Sequence, residues 1–136
     1  MTLAEKQQQL VDDLGIIPDP QERLAVVVDR AKRRTPLPET ERTAAHRVHG
    51  CISQVWLLAG ARDGRLYFRS DADSPLVRGL VVLLADFFSD APPAEIAASD
   101  ADPLAALDLL RNLSPTRQNG LAAVRARLRE LARAAA

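Results

Sequence analysis

Between Pro75 and Phe88 the chain carries Leu76, Val77, Leu80, Val81, Leu83, Leu84, Phe87 and Phe88, apolar side chains spread around most of a helical circumference. A helix that is apolar nearly all round cannot lie on a surface and has to be covered from several sides. Asp73 or Ser74 supplies its cap, and Pro75 suits its first position, where no backbone donor is lost. Pro92-Pro93 ends it, because proline can neither donate nor tolerate a helical residue before it. The rest of the chain has to cover this helix.

Two amphipathic helices precede it. Thr2-Leu3-Ala4-Glu5 has the form of a capping box, Leu3, Leu10, Val11 and Leu14 follow one face, and Gly15 suits the C′ position. Asp19-Pro20-Gln21-Glu22 opens the second helix, with Leu24, Val27, Val28 and Ala31 as its buried stripe and Lys32, Arg33 and Arg34 at its negative end. Thr35-Pro36-Leu37-Pro38 stops it, and residues 39–45 read as a polar loop. From His46 the period becomes two: a short strand at about 46–50, a turn at Cys51, a second strand at about 53–60 and a third over Arg65–Arg69. Asp63-Gly64 is the hairpin turn between the last two. Beyond the central helix, short helices are expected at about 93–98 and 103–110. Ser114-Pro115 then begins a final helix, with Leu121, Val124, Leu128 and Leu131 on one face and alanines that fray at its end. One block of strands among helices makes an α+β fold, a small antiparallel sheet of about three strands packed on several helices.

At 136 residues the chain is expected to form one domain, 1–136, large enough to bury roughly two-thirds of its extended surface. Eighteen basic and eighteen acidic residues cancel, which points away from nucleic acid and membrane surfaces as partners. The charges are nonetheless segregated. Asp86, Asp90, Glu95, Asp100, Asp102 and Asp108 have no Lys or Arg among them, while Arg111, Arg117, Arg125, Arg127, Arg129 and Arg133 follow with only Glu130 against them. Solvated helix faces explain this most simply; steering towards a docking enzyme is the other reading. No apolar run is long enough to span a bilayer, and no apolar signal core follows Met1. A single cysteine cannot form an internal disulfide, which fits a reducing cytoplasm.

That cysteine lies in His49-Gly50-Cys51-Ile52-Ser53-Gln54-Val55-Trp56. A lone cysteine is either a small buried hydrophobe or a thiol presented for chemistry. Gly50 permits a sharp turn or a positive φ, and Ser53 and Gln54 place polar groups close to the sulfur, which favours the second. The working nucleophile would be the thiolate, so the site has to lower or bypass a pKa near about 8.5. Turn amides, the Ser53 hydroxyl and His49 are the nearby candidates, and strand alternation would place His49 on the same side as Cys51. An ordinary exposed polar residue is the simpler account of His49.

Gly50-Cys51-Ile52-Ser53-Gln54-Val55-Trp56 resembles the Gly-Cys-x-Ser-Gln-Val-Trp signature of the SufE/CsdE family of sulfur acceptors. Asp73-Ser74-Pro75-Leu76-Val77-Arg78-Gly79-Leu80 and Leu113-Ser114-Pro115-Thr116-Arg117-Gln118-Asn119-Gly120-Leu121 match in order and spacing, so the resemblance runs from about residue 5 to about residue 132. It implies a SufE/IscU-like fold and a sulfur-transfer accessory protein rather than a free-standing enzyme. Such a protein takes persulfide sulfur from a cysteine desulfurase, a pyridoxal-phosphate enzyme, stimulates that enzyme, and passes the sulfur to an iron–sulfur cluster scaffold. Cys51 would be the acceptor, supported by Gly50, Ser53, Gln54, Asp73, Arg117 and His49, with no cofactor of its own. Asp73 reads first as a helix cap and second as a partner contact. Arg117, a cation at the positive end of a helix, is placed against local preference and so points to a partner or a structural acid.

Two alternatives remain. The chain could be an interaction module that activates a partner enzyme without carrying sulfur. His46, His49 and Cys51 could instead be ligands of a metal scaffold, although alternation puts His46 out of phase and no second cysteine exists. A cysteine hydrolase would need a positioned base, an orienting acid and an oxyanion loop that the sequence does not offer.

Overall fold

The computed structural model describes residues 1–51 and 53–136; Ile52, within the cysteine motif, lies outside the described residues. Among the described residues are six α-helices and one two-stranded sheet: α1 (Leu3–Leu14), α2 (Pro20–Lys32), β1 (Val55–Arg62), β2 (Arg65–Ala72), α3 (Pro75–Phe88), α4 (Pro93–Ala98), α5 (Pro103–Ala106) and α6 (Pro115–Ala135). The fold is α+β, as the pattern implied.

The apolar helix α3 is the centre. Leu80, Val81, Leu84, Ala85 and Phe88 are essentially without solvent contact, and Phe87 meets Phe88 edge to face. It packs on β2, α2 and α6, with α1 and α5 adding cover. Its ends are closed by side chains. Ser74 Oγ accepts from the Val77 amide at 3.5 Å, and Lys6 Nζ donates to the carbonyls of Phe87 and Ser89 at 2.9 and 2.6 Å, where a cation suits the helix terminus. Ser74 is therefore the cap, and Asp73 has another task.

The capping box of α1 forms as expected, Thr2 accepting from the Glu5 amide and Glu5 accepting from the Thr2 amide. Asp19 caps α2, with Pro20 in its first turn. Gly15 closes α1 with right-handed dihedrals, not the left-handed C′ conformation expected of it. β1 and β2 pair antiparallel from Val55↔Ala72 to Arg62↔Arg65, joined through Asp63 and Gly64, both at positive φ as a two-residue primed turn requires.

The sheet has two strands where about three were expected. Residues 44–46 wind into a 3₁₀ turn that ties the His46 and Arg47 amides to local carbonyls, and Gly50 then turns the chain away at φ 92°. What is left of the expected strand at 46–50 is one bridge, Arg47↔Trp56, with the Val48 amide donating to Val55 O at 2.8 Å. The polar loop at 39–45 likewise contains a 3₁₀ turn, Glu39–Glu41. The helix expected over 103–110 stops at Ala106. Asp108 adopts φ 56° and the Leu109 amide reaches back to Leu104 O at 2.9 Å, a Schellman-type closure that buries Leu107 and Leu109. The alanine-rich end stays helical to Ala135, in keeping with the propensity of alanine. The segregated charges pair partly with each other: Arg125 meets Asp102 at 2.7 Å, and Arg129, which donates to the Ser99 carbonyl, lies 3.8 Å from Asp100.

Candidate functional site

The loop carrying Cys51 lies on α6. Gly50, at φ 92°, has the left-handed conformation that a side chain would resist, and a Cβ there would stand 3.3 Å from the Ala123 methyl. One residue on, the Cys51 thiol donates to the Gly120 carbonyl at 3.3 Å. Gly120 lies in the interior of α6, where glycine costs about 0.5–1 kcal/mol relative to alanine. A Cβ at Gly120 would lie 3.5 Å from Cys51 Sγ and 3.7 Å from Cys51 Cα and Cβ. The cysteine side chain therefore rests directly against the bare helix backbone.

Cys51 is half-buried and lines a cavity of about 320 Å³ with Ser53, Val77, Thr116, Arg117 and Val124 among its walls. Burial pushes the thiol pKa up, and the positive charge of Arg47 pulls it back in part. A thiol that donates to a carbonyl is also favoured in its neutral form, since a thiolate has no hydrogen to give. In this seat the sulfur is held as a thiol and is not primed as a nucleophile.

On the other side of the loop, Asp73 and Gln54 bind each other twice. The Gln54 amide donates to Asp73 Oδ1 at 3.1 Å, and the Asp73 amide donates to Gln54 O at 3.1 Å. The expectation that Asp73 caps α3 gives way to this clasp, which ties the end of the cysteine loop to the end of β2. Asp73 stands just before the cap position, where its carboxylate is better placed to reach across to residue 54 than forward along the helix.

The histidines do not gather at the sulfur. His49 is exposed and lines no part of the cavity, because the turn at Gly50 breaks the alternation that would have aligned it with Cys51. His46 Nδ1 sits 3.1 Å from Glu41 O and 3.3 Å from Thr43 Oγ1. Among the described residues no three His, Cys, Asp or Glu side chains come together as a metal would need. The metal-scaffold alternative on His46, His49 and Cys51 thus lacks a converging ligand set.

The family model of the SufE Fe–S metabolism associated domain matches residues 8–132. The chain belongs to the SufE family. An uncharacterized SufE-like protein of Rhizobium etli is 36% identical over 130 residues, covering 92% of this chain and 88% of its own. A SufE-like protein of Synechocystis is 34% identical over 119 residues, covering 88% and 75%. SufE-like protein 1, chloroplastic/mitochondrial, of Arabidopsis thaliana is 34% identical over 120 residues, which are 88% of this chain and 32% of that longer one. The solution structure of a hypothetical protein from Thermus thermophilus shares the fold, with a TM-score of 0.74 and 22% identity over 96% of this chain and 95% of that one. Membership associates this SufE-family chain with iron–sulfur metabolism, and none of its described helices is long and apolar enough to cross a membrane.

Of the residues singled out in the SufE-family sequence, Cys51, Ser53 and Arg117 meet at the cavity, while Gln54 and Asp73 form the clasp beside it. Arg117 is exposed in the first turn of α6; its amide donates to the cap Ser114 at 3.2 Å, and among the described residues its guanidinium has neither ion pair nor hydrogen bond. Gly120 and Arg47 are site residues that sequence reasoning missed. Gly120 stands inside a motif that carries the family resemblance, and a glycine in the middle of a good helix was the signal. Arg47 gave none, since its nearness to the sulfur comes from the 3₁₀ turn and the single bridge.

Proposed function

We propose that this SufE-family chain, read as one domain over residues 1–136, accepts sulfur on Cys51 from the persulfide of a cysteine desulfurase. It stimulates that enzyme and delivers the sulfur to an iron–sulfur cluster scaffold, in the cytoplasm. The observation that carries the reading is the seat of the only cysteine: half-buried at a cavity, hydrogen-bonded to Gly120 O, on a loop held by a glycine turn on one side and one clasp on the other.

In the transfer step the Cys51 thiolate attacks the outer sulfur of the donor persulfide. A new S–S bond forms, the donor's own S–S bond breaks, and the donor cysteine leaves as a thiolate, so no external oxidant or reductant is needed. The buried, protonated thiol is poorly suited to that attack, so the loop swings outward on docking, away from Gly120 and the clasp. Gly50 supplies the backbone freedom for this swing. Arg117, unpaired among the described residues, and Arg47 are cations available to the departing charge or to an acidic partner surface. After transfer the loop returns and the cavity shields the outer sulfur from reductants between partners.

Intact-mass measurement after incubation with a cysteine desulfurase and cysteine tests the reading. It predicts a gain of about 32 Da, one sulfur atom, reversed by reductant and absent from Cys51→Ser. An unchanged mass on a chain that still stimulates the desulfurase, with Cys51→Ser equally active, would establish the activation-only module instead.

A further inference from the structure

The thiol and the persulfide of Cys51 cannot occupy the seat in the same way. As a thiol, Sγ points its hydrogen at Gly120 O, 3.3 Å away. In the persulfide a sulfur replaces that hydrogen at a bond length of about 2.05 Å. Left in the same direction, the outer sulfur would be driven into the carbonyl oxygen, so it has to rotate about the Cβ–Sγ bond. The space beside the side chain on the helix side is the volume a Cβ of Gly120 would fill, 3.5 Å from Sγ and 3.7 Å from Cys51 Cα and Cβ.

Those distances are ordinary van der Waals contacts. An alanine at 120 would touch the thiol form without displacing it, and would improve the helix. The thiol form therefore gives no reason for a glycine here. Gly50, by contrast, needs to be glycine in either form, because its φ is 92°.

We infer that Gly120 fits the cavity to the persulfide rather than to the thiol: its missing side chain leaves the place into which the outer sulfur turns once it can no longer point at the Gly120 carbonyl. Gly120 is thus a positioning residue for the stored sulfur. The inference rests on the carrier reading above and adds to it which residue makes the cavity a sulfur-storage site.

The test uses the full chain and, as the first sulfur source, inorganic polysulfide. The Cys51 thiolate attacks the terminal sulfur of the polysulfide dianion, and the dianion leaves one sulfur shorter. Wild type and Gly120→Ala are loaded, freed of excess polysulfide, and exposed to a water-soluble phosphine that removes the outer sulfur as phosphine sulfide. The loaded mass is followed with time. The loaded species of Gly120→Ala should be shorter-lived by roughly five-fold or more, the scale of overpacking a filled site by one methyl. The unloaded variant should melt at or above wild type, and iodoacetamide should alkylate its thiol at the wild-type rate. Equal lifetimes would overturn the inference. So would a variant that melts well below wild type, or one whose thiol alkylates faster by the same factor, since the glycine would then be seating the whole loop. Where the free chain takes up no sulfur from polysulfide, as a thiol held in its seat allows, both chains are loaded instead with a cysteine desulfurase and cysteine. A wild-type chain that takes up no sulfur at Cys51 from that donor would overturn the carrier reading itself, and this shows before the variant is compared.

Discussion

Asp71 and Asp73 stand two residues apart at the end of β2 and do opposite work. Asp71 is 3% exposed and has partners on all sides: the amides of Leu37 and Ala72 at 3.0 and 2.8 Å and Arg78 Nε at 2.8 Å. Arg78 extends the network to the carbonyls of Ala31 and Arg34, so one carboxylate joins the end of α2, the following loop, β2 and α3. Asp73 is exposed and, among the described residues, clasps only Gln54. A buried charge with all its partners is a lock, because losing any partner leaves a desolvated charge behind. An exposed carboxylate can exchange its partner for water at small cost. The chain thus fixes its frame at residue 71 and leaves the sulfur-bearing loop attached to that frame through a joint that can open.

The sharpest way to break this contrast is to truncate both acids. Asp71→Ala leaves the largely covered Arg78 without its counter-charge and the Leu37 amide without its acceptor, and should destabilise the fold by about 3–5 kcal/mol, read as a lowered midpoint in urea unfolding. Asp73→Ala should cost about 1 kcal/mol or less, but should raise the alkylation rate of Cys51 by roughly five-fold as the loop's open population grows. If the two variants lost similar stability, the division into lock and joint would be wrong.

A smaller effect comes from pH. Burial raises the Cys51 thiol pKa in the seat, with Arg47 opposing. At neutral pH the folded chain therefore holds less thiolate than the unfolded chain. Its alkylation should be several-fold slower, and its pH–rate profile should lie to the alkaline side of that of the urea-denatured chain. The same shift makes the seat's stabilisation complete below the unfolded pKa and lost as pH rises through the folded one. A profile on the acid side of the denatured chain would mean a thiolate stabilised in place, and no need for the loop to move.

The sequence made the lock and the joint legible to different degrees. The all-round apolar pattern of α3, the capping box at Thr2 and the Asp63-Gly64 turn are local signals, and each acts where it is written. The Asp71–Arg78 network joins residues 31, 34, 37, 71 and 78, so no window of the sequence contains it. The clasp was half visible: Asp73 stood out, but its carboxylate serves Gln54, nineteen positions earlier, and not the helix it precedes. The strand expected at 46–50 failed because periodicity cannot register a 3₁₀ turn that uses up the amides a strand would need. The failure also removed His49 from the sulfur, since its placement depended on strand alternation.

The most direct measurement is amide hydrogen exchange at Gln54, whose N–H is held by Asp73, with and without a saturating cysteine desulfurase. Exchange at Gln54 should rise several-fold in the complex while the Leu37 amide, held by Asp71, stays as protected as before. A Gln54 amide that keeps its full protection in a complex where Cys51 nevertheless gains sulfur would contradict the account.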